Sequence, residues 1–379
     1  MTDLLADLLA DLRALVECES PSSDLAAVAR SADVVARIGT ARLGVPPQRL
    51  VLDGRTHLRW RLGDGPSRVL LLGHHDTVWP LGSLAERPCT IEDGVLRGPG
   101  CFDMKAGLGM AFHAAAGLSG VTILVTGDEE LGSPSSRGLI EDEARLAEVA
   151  LVLEASADGG ALKTERKGVS LYDVRVTGRA AHAGLEPERG VNATVELAHQ
   201  VAAVSRLGDP AAGTTVTPTA ARAGTTTNTV PASGSFAVDV RVRTLAEQDR
   251  VDRAMRALRP VLPGAALDVL GGPNRPPLEA GSSAALYARA CAVAVRLGLP
   301  MPASAAVGGA SDGNLTAGVG TPTLDGLGAV GGGAHADDEH VLVAELPGRT
   351  ALLRALVEEL MVPLGGPTNQ LSTSGAARP

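Results

Sequence analysis

Acidic and histidine residues recur at five places in this 379-residue sequence, each directly after an apolar run or inside a glycine-rich loop. The five places are G-H-H-D-T-V at 73–78, D-M-K at 103–105, G-D-E-E at 127–130, L-E-A-S at 153–156 and H-A-D-D-E at 335–339. Taken singly, each is more often a solvated turn, a cap or a satisfied core residue. Imidazole and carboxylate groups together are ligands that zinc prefers, so the set as a whole indicates metal chemistry.

The number of these groups fits two adjacent metal ions. One histidine, one carboxylate and a shared aspartate give each ion three ligands and leave each an open position. Two divalent ions also neutralise three carboxylates and a bridging hydroxide, whereas the carboxylates alone would be costly to bury. Glu129 and Glu130 cannot easily point the same way, so one can bind metal while the other acts as general base. Asp76 is placed to accept the other imidazole proton of His74.

In this order the motifs resemble those of the di-zinc aminoacylase and carboxypeptidase family, which includes acetylornithine deacetylase, succinyl-diaminopimelate desuccinylase and glutamate carboxypeptidase. The resemblance runs from about Leu70 to Glu339 and is most specific in H-x-D-T-V, D-M-K-x-G and E-E. It implies two three-ligand zinc sites, one of His74, Asp103 and Glu154 and one of Asp103, Glu130 and His335.

The resemblance also assigns roles around that centre. Glu129 becomes the base that takes a proton from the attacking water and passes it to the leaving amine. A cis peptide bond is implied between Asp103 and Met104. His75 stands where the family's pattern leaves the position free, and a strand end turns it away from its neighbours, so we expect no metal binding there. Cobalt or manganese can fill such sites in place of zinc.

The elements that must position these residues alternate between apolar runs and helical patterns through the first 160 residues. Strands at 69–72, 121–125 and 149–153 and a helix near 107–118 predict an α/β sheet flanked by helices. Sites in such sheets form beyond the carboxyl ends of the strands. The uncharged stretch 106–125 contains the break Ser119-Gly120, which favours a helix and a buried strand over a membrane span.

From Gly168 the pattern changes to the order β-α-β-β-α-β, which is typical of a ferredoxin-like unit. This pattern predicts an inserted domain at 168–273, and the resemblance implies that it is a lid and dimerisation domain within a zinc-peptidase-type catalytic domain at 1–167 and 274–379. G-G-P-N-R-P-P at 271–277 is the predicted return linker. The tail after about residue 365, poor in apolar residues, is predicted to be disordered.

The inserted unit carries His182, Asn228 and Arg241. In isolation a strand cap for His182, a turn for Asn228 and a pairing of Arg241 with Asp239 or Asp173 explain them. The resemblance implies that His182 reaches the active site of the other subunit of a homodimer and stabilises the oxyanion. It also implies that Asn228 and Arg241 contact the substrate carboxylate. The loop G-G-A-S-D-G-N resembles a substrate-binding loop with Gly309, Ser311 and Asp312 near the scissile group, although an ordinary loop is a comparable interpretation.

Composition excludes several classes of protein. A net charge of -9 and an aromatic content of 2% disfavour nucleic acid and anionic membrane as partners. The four cysteines lack C-x-x-C spacing, so we expect no disulfide framework and a reducing, cytoplasmic compartment. Acidic residues interrupt the N-terminal leucines, which indicates an amphipathic helix and not a signal peptide.

The function expected is hydrolysis of an amide bond in a small peptide or N-acyl amino acid. The E-x-S strand end, the T-E-R-K-G hinge at 164–168 and the motifs of the inserted unit most resemble the glutamate carboxypeptidase branch of the family, which implies an exopeptidase of that type. Lys163, Arg166 and Lys167 can attract an acidic side chain, although a solvated hinge explains them equally well. The alternative is an N-acyl-amino-acid or N-succinyl-diamine deacylase with the same metal machinery. A catalytically silent relative is disfavoured because Glu129 is intact.

Overall fold

The computed structural model describes residues 2–361, so the predicted disorder after about residue 365 lies outside the described residues. The helices are α1 (Thr2–Val16), α2 (Leu25–Leu43), α3 (Ser83–Glu86), α4 (Ala106–Ala115), α5 (Arg137–Leu146), α6 (Ala193–Val204), α7 (Leu245–Arg256), α8 (Ala280–Arg296), α9 (Gly313–Gly318) and α10 (Leu346–Leu360). The strands are β1 (Gln48–Leu52), β2 (Arg55–Leu62), β3 (Val69–His74), β4 (Thr90–Glu92), β5 (Val95–Arg97), β6 (Val121–Thr126), β7 (Val149–Val152), β8 (Leu162–Arg166), β9 (Gly168–Thr177), β10 (Ala181–His182), β11 (Thr215–Ala223), β12 (Thr229–Val230), β13 (Ser233–Val242), β14 (Ala266–Arg275), β15 (Ser304–Val307), β16 (Thr323–Leu324), β17 (Gly331–Gly332) and β18 (His340–Leu342).

The main sheet has the strand order β1-β2-β6-β3-β7-β16. β6, β3, β7 and β16 run parallel to one another. At one side of the sheet, β2 pairs antiparallel with β6, and β1 pairs antiparallel with β2. Every residue of β3 and β6 is buried, which explains why both strands are nearly continuous apolar runs. Because β6, β3 and β7 end at the same edge, the polar residues that follow them meet there.

Helix α4 is buried on nearly every side, between α1, α2 and α10. The Trp60 ring of β2 meets the Phe112 ring of α4 edge-on, with ring centroids 5.2 Å apart. This burial accounts for the uncharged stretch 106–125, in which α4 ends at Ala115 and β6 begins at Val121. Within residues 2–361, no helix combines the length and the hydropathy needed to cross a bilayer.

Residues 168–275 form a second unit with its own hydrophobic core. Its antiparallel sheet has the order β11-β13-β9-β14, and α6 and α7 pack on it. This connectivity confirms the ferredoxin-like unit predicted from the β-α-β-β-α-β pattern. The side chain of Asn192 caps α6 and that of Thr244 caps α7, which fixes where both helices begin.

The predicted linker at 271–277 is partly wrong, because β14 continues through Arg275 beside β9. Gly271 and Gly272 have φ of 82° and 150° and still pair with β9. A Cβ on Gly271 would lie 2.2 Å from Leu171 O, so glycine is required by close approach and not by a loop. The longer strand carries Arg275 to the edge of the main sheet.

Candidate metal centre and active site

The predicted metal ligands come together at the carboxyl edge of the main sheet. His74 Nε2, at the end of β3, lies 3.5 Å from Asp103 Oδ1 and 3.5 Å from Glu154 Oε1. His335 Nε2 lies 3.2 Å from Asp103 Oδ2 and 3.2 Å from Glu130 Oε2. Asp103 therefore presents one carboxylate oxygen to each histidine, as a ligand shared by two ions would.

These separations fit pairs of ligands on one metal ion. Two atoms each about 2.05 Å from a tetrahedral zinc ion lie about 3.3 Å apart. His74 Nε2 and Glu130 Oε1 are buried and have no hydrogen-bond partner in the described part of the chain. Such unpaired buried atoms are rare unless an ion or water satisfies them. The residues present thus fit two adjacent divalent ions.

Acidic neighbours in the cluster favour the protonated form of both histidines. Hydrogen bonds to Asp103 and Glu130 raise the pKa of His335 to about 10. Burial lowers the pKa of His74, but its acidic neighbours outweigh burial and hold that pKa well above its ordinary value. Burial raises the pKa of Asp103, yet the two histidines hold it far below its usual range. Incoming metal ions therefore displace protons from the imidazoles.

Asp76 accepts the His74 proton through its main-chain oxygen and not, as expected from sequence, through its carboxylate. His74 Nδ1 donates to the main-chain oxygen of Asp76 at 3.0 Å, whereas the Asp76 carboxylate lies 3.5 Å away. That carboxylate accepts the main-chain N–H groups of Glu129 and Glu130, both at 3.2 Å, and the Ser22 hydroxyl at 2.6 Å. One residue thus fixes the tautomer of His74 and the orientation of the two glutamates.

Glu129 lies beside the cluster without hydrogen bonds to its histidines. Its ligand atom lies within 4.8 Å of those of His74 and Glu154. Its Oε1 accepts a hydrogen bond from Arg275 Nη1 at 2.7 Å. Burial raises the pKa of Glu129 to about 8, and Arg275 opposes that shift. Sequence reasoning missed Arg275, because the contact joins positions 146 residues apart and no local signal marks it.

Asp103 lies in the segment Cys101–Lys105, directly before α4, with non-helical φ and ψ of -114° and 95°. The peptide bond between Asp103 and Met104 is cis, as predicted. A Cβ on Gly107 would lie 2.0 Å from Leu153 O, so only glycine lets the start of α4 approach the end of β7. This close approach keeps Asp103 within reach of Glu154.

His335 and His75 differ in their surroundings. His335 lies between β17 and β18 with φ of 61°, and its side chain is half-exposed. His75 is fully buried, with Nδ1 3.2 Å from Ser31 Oγ and Nε2 3.1 Å from Thr56 O. Protein groups therefore occupy both ring nitrogens of His75, and burial lowers its pKa to about 4.

The candidate residues His182, Asn228 and Arg241 form their hydrogen bonds within the second unit. Exposed His182 accepts the N–H of Gly184 at Nδ1, and Asn228 O accepts the N–H of Ala183. Arg241 pairs with Asp239 at 2.8 and 2.9 Å. Within residues 2–361 of this single chain, no hydrogen bond or ion pair joins these three candidates to the metal-ligand cluster.

The loop at 308–314 approaches the cluster through Arg166. Arg166 Nε donates to Asp325 at 2.6 Å, Nη1 donates to Gly309 O at 3.0 Å, and Nη2 lies 3.5 Å from Glu154 Oε2. Ser311 is buried, and its hydroxyl donates to Asp325 at 2.6 Å. Arg166 and Lys163 line a cavity of about 600 Å³ together with Gly309. Arg166 therefore stands beside the metal-ligand cluster, and Lys163 shares a cavity with it.

Comparison with known proteins gives consistent results. Residues 70–359 match the family described as peptidase family M20/M25/M40. The chain is 34% identical over 295 residues to carboxypeptidase G2 from Pseudomonas sp. (strain RS-16), covering 74% of this chain and 70% of that protein. The M20 family metallo-carboxypeptidase Sso-CP2 from Sulfolobus solfataricus has a similar fold, with a TM-score of 0.73, 16% identity and coverage of 93% and 99%. The Bacillus subtilis YXEP protein, a dinuclear metal-binding peptidase of the M20 family, matches with a TM-score of 0.68, 13% identity and coverage of 96% and 99%.

Proposed function

This chain belongs to peptidase family M20/M25/M40 and is a metallopeptidase that hydrolyses a peptide or acyl-amino-acid bond, and from that premise we propose a two-zinc carboxypeptidase that releases C-terminal glutamate. The observation that carries the proposal is the ligand-to-ligand spacing of 3.2 to 3.5 Å around shared Asp103. His74, Asp103 and Glu154 would hold one ion, and Asp103, Glu130 and His335 would hold the other. Bound zinc polarises a carbonyl and lowers the pKa of water.

Glu129 is the proposed general base. Arg275 occupies its Oε1, which leaves Oε2 to accept a proton from the attacking water and return it to the leaving nitrogen. A carboxyl whose pKa is raised by burial holds and releases a proton near neutral pH. The Asp76 carboxylate keeps Glu129 oriented by accepting a hydrogen bond from the main-chain N–H of Glu129. The loop with Gly309 and Ser311 borders the substrate in this proposal.

The preference for glutamate is supported by Arg166, which lies beside Glu154, and by Lys163, which lines the same cavity as Arg166. Arg166 Nη2 is buried and has no hydrogen-bond partner in the described chain, so a substrate carboxylate would satisfy it. Burial lowers the pKa of Lys163, with Arg166 adding to the effect, and an anion nearby would favour the charged amine. The similarity to carboxypeptidase G2 supports the same choice. A deacylase acting on N-acyl amino acids is the second candidate, because the metal-binding residues would be identical.

A substrate panel tests the proposal. Zinc-loaded and chelator-treated protein would be compared on dipeptides ending in Glu, Asp, Leu or Arg, on N-acetyl amino acids and on N-succinyl diamines. We expect chelator-sensitive release of C-terminal glutamate, with kcat/KM at least about tenfold above that for leucine, since charged pairing contributes 1.5 to 3 kcal/mol. Preference for acetyl or succinyl groups would favour the deacylase. No turnover by protein that holds two zinc ions would contradict both.

We also propose a homodimer formed through the second unit, in which His182 serves the partner's active site and Asn228 and Arg241 contact substrate. The exposure of His182 and the lack of a hydrogen bond or ion pair between it and the cluster in the described chain support this arrangement. His182→Ala is expected to keep zinc and lose most turnover. Mixing equal amounts of His182→Ala and Glu129→Gln protein tests the crossing: each mixed dimer would have one complete site, so the exchanged mixture would regain about a quarter of wild-type activity. No regained activity, despite subunit exchange, would contradict it.

The four cysteines are free thiols, which supports the proposal that the protein works in the reducing cytoplasm.

A further inference from the structure

Glu339 is a buried carboxylate whose hydrogen-bonding capacity is filled by N–H groups. Only 4% of the surface of Glu339 is exposed. The four donors are Phe102 N at 2.9 Å and Asp103 N at 3.0 Å to Oε1, and Gly100 N at 2.9 Å and Trp79 Nε1 at 2.7 Å to Oε2. A carboxylate has about four lone-pair sites, so these donors saturate it and offset the cost of its burial.

The donors of Glu339 connect two metal-binding segments. Three of them are main-chain groups of the turn that carries Asp103, including the N–H of Asp103 itself. Glu339 in turn follows His335 by four residues in the same loop. It lies directly before β18, which the pairing with β5 holds in place. The carboxylate thus joins the main chain of the shared ligand to the loop of the last ligand.

Apart from Glu339 and the contacts of the His335 ring, the loop of His335 is held from outside by two exposed contacts: Arg87 pairs with Asp337, and Arg97 Nη1 donates to Asp338 O at 3.4 Å. Ala336 N donates to Gly333 O at 2.8 Å and Glu339 N donates to Ala336 O at 3.0 Å, which are contacts within the loop. The His335 side chain is half-exposed, and its main chain adopts positive φ. Residues that orient metal ligands from behind typically change metal affinity 10- to 100-fold when mutated.

We propose that Glu339 is a positioning residue of the metal centre, whose carboxylate holds Asp103 and the His335 loop in fixed register so that the ion between them binds tightly. The inference rests on the two-metal centre proposed above. It assigns Glu339 no contact with substrate or with the reacting atoms.

Glu339→Gln tests the role, because an amide accepts hydrogen bonds only at its oxygen and its NH2 group would face two of the four donors. Stepwise zinc affinities would be measured by competition with a zinc-binding dye, and the visible spectrum would be recorded at one and two equivalents of Co²⁺. We expect one zinc ion to bind about 10- to 100-fold more weakly and the spectrum of the second cobalt equivalent to change. Asp338→Asn removes the same charge from the neighbouring exposed position and is expected to leave both measurements unchanged.

Glu339→Gln protein with wild-type zinc affinities and cobalt spectrum overturns the proposal, even if its melting temperature falls, since that outcome shows a purely structural role. If the variant does not fold, Trp79→Phe carries the test, because it removes one donor and keeps an aromatic ring against Arg87. Severalfold weaker binding of one zinc ion by Trp79→Phe protein supports the positioning role of Glu339, and wild-type zinc affinity in that protein overturns it. Wild-type protein that binds fewer than two ions contradicts the two-metal centre itself, an outcome distinct from a failure of Glu339.

Discussion

At the scale of single residues, the surroundings of Glu129 set the pKa of its carboxyl and so determine how it can transfer protons. Burial raises the pKa of its carboxyl to about 8, and the buried guanidinium of Arg275 opposes that shift. A base is most effective when its pKa is near the working pH, since it must both take and return a proton. Glu129 is therefore suited to act as base and then as acid near neutral pH.

Replacing Glu129 with glutamine tests this role. We expect kcat to fall about 10²- to 10⁴-fold, which is the usual contribution of a general base, while both zinc ions stay bound. Steady-state kinetics and metal analysis of the same preparation measure the two quantities. Glu188→Gln, at an exposed position of the second unit, serves as the control and is expected to keep wild-type kcat. A kcat within tenfold of wild type in Glu129→Gln would rule the role out.

Buried His75 makes a prediction about pH and stability. Its folded pKa is lowered to about 4, so between that pH and about 6.5 the unfolded chain binds a proton that the native protein does not. The contribution of His75 to stability therefore rises with pH across this window, by roughly 3 kcal/mol in total. The difference in unfolding free energy between wild type and His75→Gln is expected to grow from pH 4.5 to 7 in metal-free urea titrations. A difference independent of pH would contradict this.

The metal ligands could be proposed from sequence because each follows a strand end or stands in a motif of its own. His74 ends β3 and Glu130 follows β6, so local pattern places both. Arg275 and Glu339 could not be assigned in the same way, since their contacts with Glu129 and Asp103 span 146 and 236 residues. Which acidic or basic side chain hydrogen-bonds to a residue of the active site depends on the packed structure.

At the scale of elements, β14 connects the second unit to the catalytic edge. The strand ends at Arg275, whose Nη2 donates to Ser133 Oγ at 2.8 Å and to Asp312 at 3.1 Å, while Nη1 reaches Glu129. Two glycines suggested a linker here, yet their positive φ angles keep the strand paired. Glycine marks both loops and close approaches of main chain, and sequence alone does not separate the two.

Arg275→Met tests the coupling through β14. Removing the cation leaves Glu129 and Asp312 without their buried partner, which we expect to cost about 3 to 5 kcal/mol of stability. The pKa of Glu129 should rise, because Arg275 lowers it, so the acid limb of the kcat/KM profile should move to higher pH. Arg275→Lys keeps the charge and is expected to keep the limb near wild type. An unchanged limb in Arg275→Met would show that Arg275 does not act on the base.

At the scale of the whole molecule, the described chain has a large core around the main sheet and a separate core in the second unit. The proposed metal ligands all lie with the first. The α/β sheet and the ferredoxin-like order were both predictable, since periodicity and connectivity are local features. The small sheet β17-β18-β5-β4 was not, because its strands of two or three residues leave no periodic pattern.

Zinc should therefore stabilise one core and not the other. At a free concentration 1,000 times its dissociation constant, a bound ion adds about 4 kcal/mol to the unit that binds it. Differential scanning calorimetry with zinc and with chelator is expected to show two transitions, of which only the one from the main-sheet core shifts upward. One transition that moves as a whole would show that the two cores unfold together.

The two histidines of the centre differ in exposure, at 2% of the side chain for His74 and 50% for His335. An ion leaves by exchanging protein ligands for water, and water reaches His335 first. The ion on the His335 side should therefore exchange faster than its neighbour, so brief chelation followed by cobalt would yield a mixed zinc–cobalt enzyme. The colour of that hybrid would report on the exposed position alone, which makes each half of the centre separately observable.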